Sequence, residues 1–255
     1  MNNKRDILTI KIEEAIKKAS ECPLCLVLKG DEKRYIEAFF SEHIMNPEYR
    51  KIVIHSRGFC KQHFQKILDF AIKHYEELGL ALVLKDIIES IANDLKKISV
   101  NNESLTKING FHILNIKNIK KKKALDKLYQ IESIIKEREQ TCPACKYLKE
   151  FDEINVDTLA MMLSSNQSFL KEFKESKGLC LLHLIKLLRI IKLRHKNSFS
   201  SLLKDLLSLE MKSFTRLNHE LEEFIRKHDY RFSDEPWGIE KDSVKRSIIK
   251  LIGEK

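Results

Sequence analysis

Cys22-Pro23-Leu24-Cys25 opens a pattern that continues, after 34 intervening residues, with Cys60-Lys61-Gln62-His63. The same pattern returns 120 positions further along the chain, as Cys142-Pro143-Ala144-Cys145 and Cys180-Leu181-Leu182-His183. Both copies read C-x2-C-x34-C-x2-H, and together they use all 6 cysteines of the chain. This regularity indicates an internal duplication with the spacing of metal ligands.

Zinc chemistry explains these residue types at these spacings. Two thiolates three positions apart can converge through a tight turn, and a Cys and a His three apart share one face of a helix. We therefore predict two sites with three Cys and one His each. Because four protein ligands close a tetrahedral site, structural zinc is favoured over catalytic zinc. The expected ligands are Cys22, Cys25, Cys60 and His63 in the first half, and Cys142, Cys145, Cys180 and His183 in the second.

Two other chemistries fit part of the cysteine pattern. Iron–sulfur clusters are also held by cysteine and histidine ligands, so iron remains an alternative to zinc. The CPxC pairs are similar to thiol–disulfide active sites, which follow a strand in a βαβ unit. Here the segments before both pairs have a helical period, and redox chemistry leaves Cys60-x2-His63 and Cys180-x2-His183 without a role.

Few turn-forming residues occur in this chain, with only 7 Gly and 4 Pro among 255 residues. Apolar residues recur at helical spacing in most segments, which predicts an all-α fold of long helices. We expect a first helical unit at 1–98, a linker at 99–119, a second helical unit at 120–228 and a tail at 229–255 that packs on the body. Asn109-Gly110 predicts a small hairpin in the linker, and Gly79 predicts a bend in a helical region that runs from Cys60 to Ile98.

The charge of the chain limits its partners without naming one. Lys and Arg number 47 against 37 Asp and Glu, a formal net charge of +10, and the one local concentration is Lys120–Lys123. A lysine-rich surface is typical of a solvated face, and nucleic-acid binding is the alternative. Lys11, Glu13 and Glu14 interrupt the N-terminal apolar stretch, and no apolar run approaches the length of a membrane span. We therefore expect a cytoplasmic protein without a membrane partner.

The tail contains the only tryptophan of the chain, Trp237, in a charged segment. One interpretation is that Trp237 anchors the tail on the helical body while the charges pair locally. The other is a ligand or partner site built from Tyr230, Arg231, Asp234 and Trp237. The seven remaining histidines have no partner at ligand spacing and are expected to be surface or core residues; they are at 43, 55, 74, 112, 195, 219 and 228.

These motifs together resemble a family of prokaryotic proteins of unknown function. The resemblance rests on the two CPxC motifs, on Gly58 to His63 and Gly178 to His183, and on a tail with Asp229-Tyr230-Arg231 followed by Asp234 to Gly238. It covers nearly the whole chain and supports the metal sites, but it implies no established activity.

The sequence favours a non-enzymatic role, since it contains no phosphate-binding loop, nucleophile elbow or HExxH motif. We expect a zinc-stabilised helical adaptor or regulatory protein that binds a protein partner and carries two zinc ions. A nucleic-acid-binding protein that uses its lysine-rich surface is one alternative. A thiol redox sensor or iron–sulfur protein is the other.

Overall fold

The computed structural model describes residues 7–18, 20–100, 116–232 and 234–254, with the side chains of 100 and 116–123 excepted. These residues form helices and no strand, so the predicted all-α fold is confirmed. The hairpin predicted at Asn109-Gly110 lies outside the described residues. The first five α-helices are α1 Ile7–Lys17, α2 Pro23–Ala38, α3 Pro47–His55, α4 Lys61–His74 and α5 Glu77–Val100. They are followed by α6 Ile116–Thr141, α7 Pro143–Ser165, α8 Gln167–Lys174, α9 Leu181–Arg194, α10 Phe199–Arg226 and α11 Ser243–Ile252.

The chain divides into two compact units that differ from the predicted division at 98 and 120. The first unit comprises Met1–Asp31 and Lys149–Lys255, and the second comprises Glu32–Leu148. Both boundaries therefore fall inside helices, one in α2 and one in α7. The first boundary follows Gly30 and falls within the polar stretch Asp31-Glu32-Lys33-Arg34, but α2 continues through it without a break, so the sequence pattern pointed to the central linker instead.

Each unit has its own apolar core. In the first unit, Ile12 of α1, Leu159 of α7 and Phe173 of α8 are fully buried, with Leu187 and Ile191 of α9 in the same cluster. Burial of such side chains contributes roughly 1.5–3 kcal/mol each and is the main force that holds these helices together.

In the second unit, the aromatic rings provide the centre of the core. The Phe39 ring lies edge-on to Phe59 at a centroid distance of 5.3 Å, and Ile67 of α4 and Val83 of α5 complete the cluster. Edge-to-face rings at this distance attract each other beyond the gain from burial alone.

Asparagine caps begin two of the helices at positions 120 residues apart. The Asn46 side chain accepts hydrogen bonds from the backbone amides of Glu48 and Tyr49, and the Asn166 side chain accepts one from Phe169. Such caps satisfy amides that have no partner within the helix. The two caps give α3 and α8 matching starts in the two units.

Glycines with positive φ precede both Cys-x2-His motifs. Gly58 has a φ of +95° and Gly178 a φ of +74°. A Cβ atom at Gly58 would lie 2.4 Å from Cζ of Phe64, and one at Gly178 would lie 2.4 Å from Oε1 of Glu210. Glycine is required at both positions for its backbone freedom and its lack of a side chain.

The predicted bend at Gly79 is wrong. Helix α4 ends at His74, and the chain turns at Tyr75, whose φ of 61° lies in the left-handed region. Gly79 lies inside α5, where a Cβ atom would approach Cδ1 of Ile44 to 2.8 Å. The glycine therefore serves close packing, and the break falls at an exposed tyrosine.

Candidate metal centres

Four ligand atoms converge in the first unit and form what we call the first site. It consists of Cys22, Cys25, Cys180 and His183, all buried. The Sγ atoms of Cys25 and Cys180 lie 3.7 Å apart, and Nδ1 of His183 lies 3.1–3.4 Å from the three sulfurs. All four ligand atoms fall within 4.8 Å of one another, so they surround one common point.

The second site has the same composition and lies in the second unit. Its ligands are Cys60, His63, Cys142 and Cys145. The Sγ atoms of Cys60 and Cys145 lie 3.7 Å apart, and Nδ1 of His63 lies 3.1–3.6 Å from the three sulfurs. Cys145 differs from the other ligands because it is exposed.

The eight predicted ligands all lie in these two sites, but the predicted pairing is wrong. We expected Cys22 and Cys25 to meet Cys60 and His63, whereas each CPxC pair meets the Cys-x2-His pair of the other half. Ligand spacing cannot distinguish the two pairings, because each CPxC pair could join either Cys-x2-His pair. The first site closes a loop of 155 positions. Compared with the shorter loop of the predicted pairing, closing this longer loop costs additional chain entropy of only about 1 kcal/mol. That cost is small beside the free energy of binding a structural metal.

The local structure of α2 and α7 brings the thiols of each CPxC pair together. Pro23 and Pro143 occupy the first helical position, where proline loses no hydrogen bond. The carbonyl of Cys22 accepts a hydrogen bond from Leu26, and Cys142 does the same for Lys146. Each pair of thiols therefore lies at the start of a helix, where the positive end of the dipole stabilises a thiolate.

The opposite pair of ligands also sits at a helix start. Cys60 and Cys180 are the residues immediately before α4 and α9, and both have an extended backbone. The histidines follow within the first turn, so their side chains lie beside the cysteine sulfurs. Each site is thus built from two helix N-termini, which favours anionic ligands around a cation.

A carboxylate and a lysine stand behind the histidine of the first site. Nε2 of His183 lies 2.9 Å from Oδ1 of Asp152, whose other oxygen contacts the ammonium of Lys186. A carboxylate can only accept a hydrogen bond, so the proton sits on Nε2 and leaves the Nδ1 lone pair for a metal.

The second site repeats this arrangement with glutamate. Nε2 of His63 lies 3.1 Å from Oε1 of Glu32, and Nζ of Lys66 lies 2.6 Å from the other oxygen. Glu32 and Asp152 are 120 positions apart, like the ligands themselves. Helices α2 and α7 therefore each supply thiols to one site and the supporting carboxylate to the other.

The electrostatics of both sites favour a positive charge among the sulfurs. Burial lowers the pKa of His63, but hydrogen bonds with Cys142 and Glu32 outweigh it and raise this pKa to about 10. Likewise, hydrogen bonds with Asp152 and Cys180 raise the pKa of His183 to about 11 against the effect of burial. A bound divalent metal supplies this positive charge directly and displaces the proton.

The supporting carboxylates remain ionised. A hydrogen bond with His63, followed by Lys66, lowers the pKa of Glu32 despite burial. Burial raises the pKa of Asp152, but hydrogen bonds with His183 and Lys186 reverse the effect and lower it. Both carboxylates can therefore hold the histidine rings in the orientation that presents Nδ1 to a metal.

An ionic network supports the turn before Cys22. The Glu21 carboxylate is almost fully buried and lies 2.6 Å from Arg216 of α10, 3.3 Å from Arg246 of α11 and 3.4 Å from Lys177. Because three cations surround one buried anion, the charge of Glu21 is compensated. The network fixes the first CPxC turn to the C-terminal helices of the first unit.

A second buried ion pair supports the backbone that precedes Cys180. The Glu210 carboxylate accepts a 2.6 Å hydrogen bond from the amide of Leu179, and its other oxygen lies 2.6 Å from Nζ of Lys250. Lys250 is fully buried and also donates to the carbonyl of Lys177. Burial raises the pKa of Glu210 more than the lysine lowers it.

The residues after α11 cover the first site. The amide of Glu254 donates to Sγ of Cys25 at 3.4 Å, and the Glu254 side chain pairs with Lys29 at 2.6 Å. Gly253 has a φ of +81°, and a Cβ atom there would lie 3.4 Å from Sγ of Cys25. Cys25 is 2% exposed under this cover, whereas its counterpart Cys145 is exposed.

The four tail residues predicted as a ligand or partner site have different surroundings. The Trp237 ring packs on Phe224 and His228 at centroid distances of 5.4 and 5.2 Å and remains 40% exposed. Arg231 forms an ion pair with Asp229, also in the tail. Tyr230 is largely exposed, and Asp234 is exposed. Trp237 thus contacts the end of α10, and a site built from the four residues stays a prediction.

The sequence also singles out the remaining histidines and the lysine-rich segment Lys120–Lys123. Among the described residues, no histidine other than His63 and His183 belongs to a cluster that could hold a metal. His112 lies outside the described residues, as do the side chains of Lys120–Lys123. The predicted nucleic-acid face therefore stays a prediction.

Sequence reasoning missed the residues that support the ligands. Glu32 and Asp152 carried a signal, since both are acids at equivalent positions of the repeat. Lys66 and Lys186 are likewise two lysines at equivalent positions. Comparison of the two copies for acids at matching positions would have found them. Glu21, Glu210 and Lys250 carried no such signal, because isolated charges in a chain with 33% charged residues are ordinary.

Comparison with known proteins assigns the chain to a family. The model of the Family of unknown function (DUF6062) matches residues 3–255. The chain belongs to this family. A search of curated proteins found no match, and a search of solved structures found none. The predicted membership in a family of unknown function is confirmed, and no activity is assigned to DUF6062 by its description. Within the described residues, no helix combines the length and apolar character needed to cross a membrane.

Proposed function

We propose that each site binds one zinc ion as a structural metal and that the chain is a non-enzymatic helical scaffold. The observation that carries this proposal is the size of the two clusters. A tetrahedral zinc with Zn–S bonds of about 2.3 Å separates two sulfurs by about 3.8 Å. The Cys25–Cys180 and Cys60–Cys145 sulfurs are 3.7 Å apart, which fits one such ion in each site.

The same distances argue against iron–sulfur clusters. In a cluster with several irons, the thiolates bind different metal atoms and must stand further apart than the edge of one tetrahedron. All ligand atoms of each site lie within 4.8 Å of one another. A single ion therefore fits better than a cluster, and the mixed thiolate and imidazole ligands suit zinc.

The metal coordination supports a scaffold role for the sites. Three thiolates and one imidazole complete a tetrahedron, so no coordination position is left for a substrate or an activated water. The carboxylates behind His63 and His183 orient the rings toward the ions. Metal binding free energy then becomes folding free energy, and each ion joins two helix starts that are distant in the chain.

An exposed apolar surface of the first unit supports an adaptor role with a protein partner. Ile239 is 75% exposed and precedes α11, where Ile248 and Ile252 are 51% and 61% exposed. Ile225 near the end of α10 is 69% exposed. Ile248 and Ile252 line one groove together with Phe224 of α10, and a contiguous apolar surface of this kind is typical of one that binds another protein.

Elemental analysis of protein purified without added metal tests the proposed zinc binding. We expect two zinc atoms per chain and no acid-labile sulfide. A strong chelator should release both ions and lower the thermal midpoint, because the metal-free sites lose their closure. Iron with sulfide, or a metal-free protein of equal stability, would contradict the proposal.

The adaptor role needs its own experiment. The intact protein and an Ile248→Asp variant would be used as bait, with Lys212→Asp as a control at an exposed position of α10 outside the groove. A partner that binds through the apolar surface should be captured by the intact protein and the control but lost with Ile248→Asp. Identical capture by all three would exclude this surface as the interface.

A further inference from the structure

The two sites differ in how far their thiols are protected from solvent. In the first site, all four ligands are buried, and Gly253 and Glu254 lie over Cys25. In the second site, Cys145 occupies the equivalent position of the repeat and is exposed. Accessible thiolates react with oxidants far faster than buried ones.

A second thiol is placed to complete an oxidation at the exposed position. Sγ of Cys60 lies 3.7 Å from Sγ of Cys145, and Cys60 is 8% exposed. Such a separation is short enough for a disulfide to form after a small side-chain movement. An oxidised Cys145 therefore has a resolving thiol beside it.

From this asymmetry, and resting on the proposed zinc binding, we infer that Cys145 is a modification site at which hydrogen peroxide opens the second site and releases its zinc. The Cys145 thiolate donates an electron pair to one peroxide oxygen, the O–O bond breaks, and the departing hydroxide is protonated to water. The Cys60 thiolate then attacks the sulfenic sulfur, the S–O bond breaks, and the second hydroxide leaves as water after protonation.

Atoms and electrons balance in these two steps without a further reactant. Two thiolates lose two electrons, peroxide gains two, and zinc keeps its charge because it has no redox chemistry. The second site then retains only Cys142 and His63 as ligands, too few to hold the ion. The first site keeps its zinc, since its thiols are covered.

Zinc release measured with a colorimetric chelator tests the inference on the full chain. We first determine the zinc content, because a protein without two zinc ions would refute the proposed function and not the asymmetry. With both ions present, peroxide should release one zinc faster than the other by about an order of magnitude or more. Mass spectrometry should find a disulfide between Cys60 and Cys145. Release of both ions at equal rates, or first oxidation at Cys22, Cys25 or Cys180, overturns the inference while leaving zinc binding intact.

Two variants and one labelling measurement sharpen the result. Cys145→His keeps four ligands at the second site but removes the oxidisable one, so rapid zinc release should disappear. The matched Cys25→His variant changes the equivalent ligand of the first site and should still release one zinc rapidly. If either variant fails to fold, iodoacetamide labelling of the unaltered protein decides: Cys145 should be alkylated first, and simultaneous labelling of all six thiols contradicts the inference.

Removal of the cover over the first site provides the converse test. A chain that stops at Ile252 lacks Gly253 and Glu254 and therefore exposes Cys25. In this variant, peroxide should also release the zinc of the first site. Unchanged resistance in this variant would show that burial of the first site does not depend on the segment, and the proposed cause of the asymmetry would be wrong.

Discussion

Sγ of Cys25 and Sγ of Cys180 lie 3.7 Å apart although the two residues are separated by 155 positions in the chain. The N-terminal CPxC motif is therefore closed by a Cys-x2-His motif from the second half of the sequence. The second site obeys the same rule, with Cys142 and Cys145 beside Cys60 and His63. This crossed arrangement makes predictions that the simpler pairing within each half does not.

Double variants distinguish the two pairings by metal content. Cys22→Ala combined with Cys180→Ala removes two ligands of one site, so one zinc per chain should remain. Cys22→Ala combined with Cys60→Ala damages both sites, and both ions should be lost or strongly weakened. Elemental analysis of the purified variants provides the measurement. The reverse result would restore the pairing within each half.

Loss of a supporting carboxylate should weaken one site selectively. Asp152→Asn removes the charge that orients His183, and we expect zinc affinity at the first site to fall by about 10–100-fold. Glu32→Gln should do the same at the second site only. Competition with a chelator of known affinity measures both effects. Asp157→Asn, on the same helix as Asp152, is the control and should leave both affinities unchanged.

Lys250→Met should strongly destabilise the first unit. The substitution leaves the Glu210 carboxylate buried without its cation, and breaking a buried pair in this way costs about 3–5 kcal/mol. The free energy of unfolding from denaturant titration at neutral pH measures the loss. Adding Glu210→Gln to Lys250→Met should recover part of it, because the buried charge is gone. Lys245→Met, at an exposed position of α11, should change stability little.

Tyr75→Gly should stabilise the second unit. Tyr75 has a φ of 61° and is 90% exposed, so its backbone is strained while its side chain contributes little packing. Relief of a left-handed conformation is worth about 1–2 kcal/mol, less the entropy that glycine adds to the unfolded chain. The thermal midpoint should rise slightly for Tyr75→Gly and not for Tyr75→Ala. A lower thermal midpoint for the glycine variant would contradict the inferred backbone strain at Tyr75.

The ion pair of Lys227 and Glu240 should make part of the stability depend on acid. Hydrogen bonds from Lys227 and from the amide of Gly238 lower the pKa of Glu240 from 4.5 to about 2. The folded state thus releases this proton more readily than the unfolded state, and the stabilisation is complete above about pH 5.5, where the carboxylate is ionised in both states. It should be lost as the pH falls toward 2.

Comparison with Glu240→Gln isolates this contribution from the protonation of the metal ligands. The difference in unfolding free energy between the two proteins should be constant above about pH 5.5 and shrink as the pH falls below 4.5. A difference that does not change with pH would mean that the carboxylate has no lowered pKa in the folded protein.

The ligands and the helical fold could be predicted from the sequence, but which ligands share a site could not. The spacing of Cys22, Cys25, Cys60 and His63 identifies metal ligands because zinc needs four donors at a fixed distance. It is compatible with both pairings, because loop entropy distinguishes 35 from 155 positions only weakly. Which helix starts face each other is decided by packing of the cores, and no local pattern encodes it.

Local signals failed in a similar way at the bend and at the buried charges. Gly79 was the natural choice for a bend, yet close contact with Ile44 explains the glycine, and Tyr75 carries the turn. Glu210 and Lys250 are 40 positions apart, and nothing in either segment predicts that they meet. Their burial depends on where α10 and α11 come together, which only the folded chain determines.

The crossed pairing also fixes an order of assembly on the ribosome. Cys22 and Cys25 emerge before the other six ligands, yet their coordination sphere is complete only after His183 has been synthesised. The second site, nested inside this interval, is complete once Cys145 has left the exit tunnel. The chain is thus expected to load its metals from the inside outward, and a cut in the central linker would leave two fragments that each hold half of both spheres.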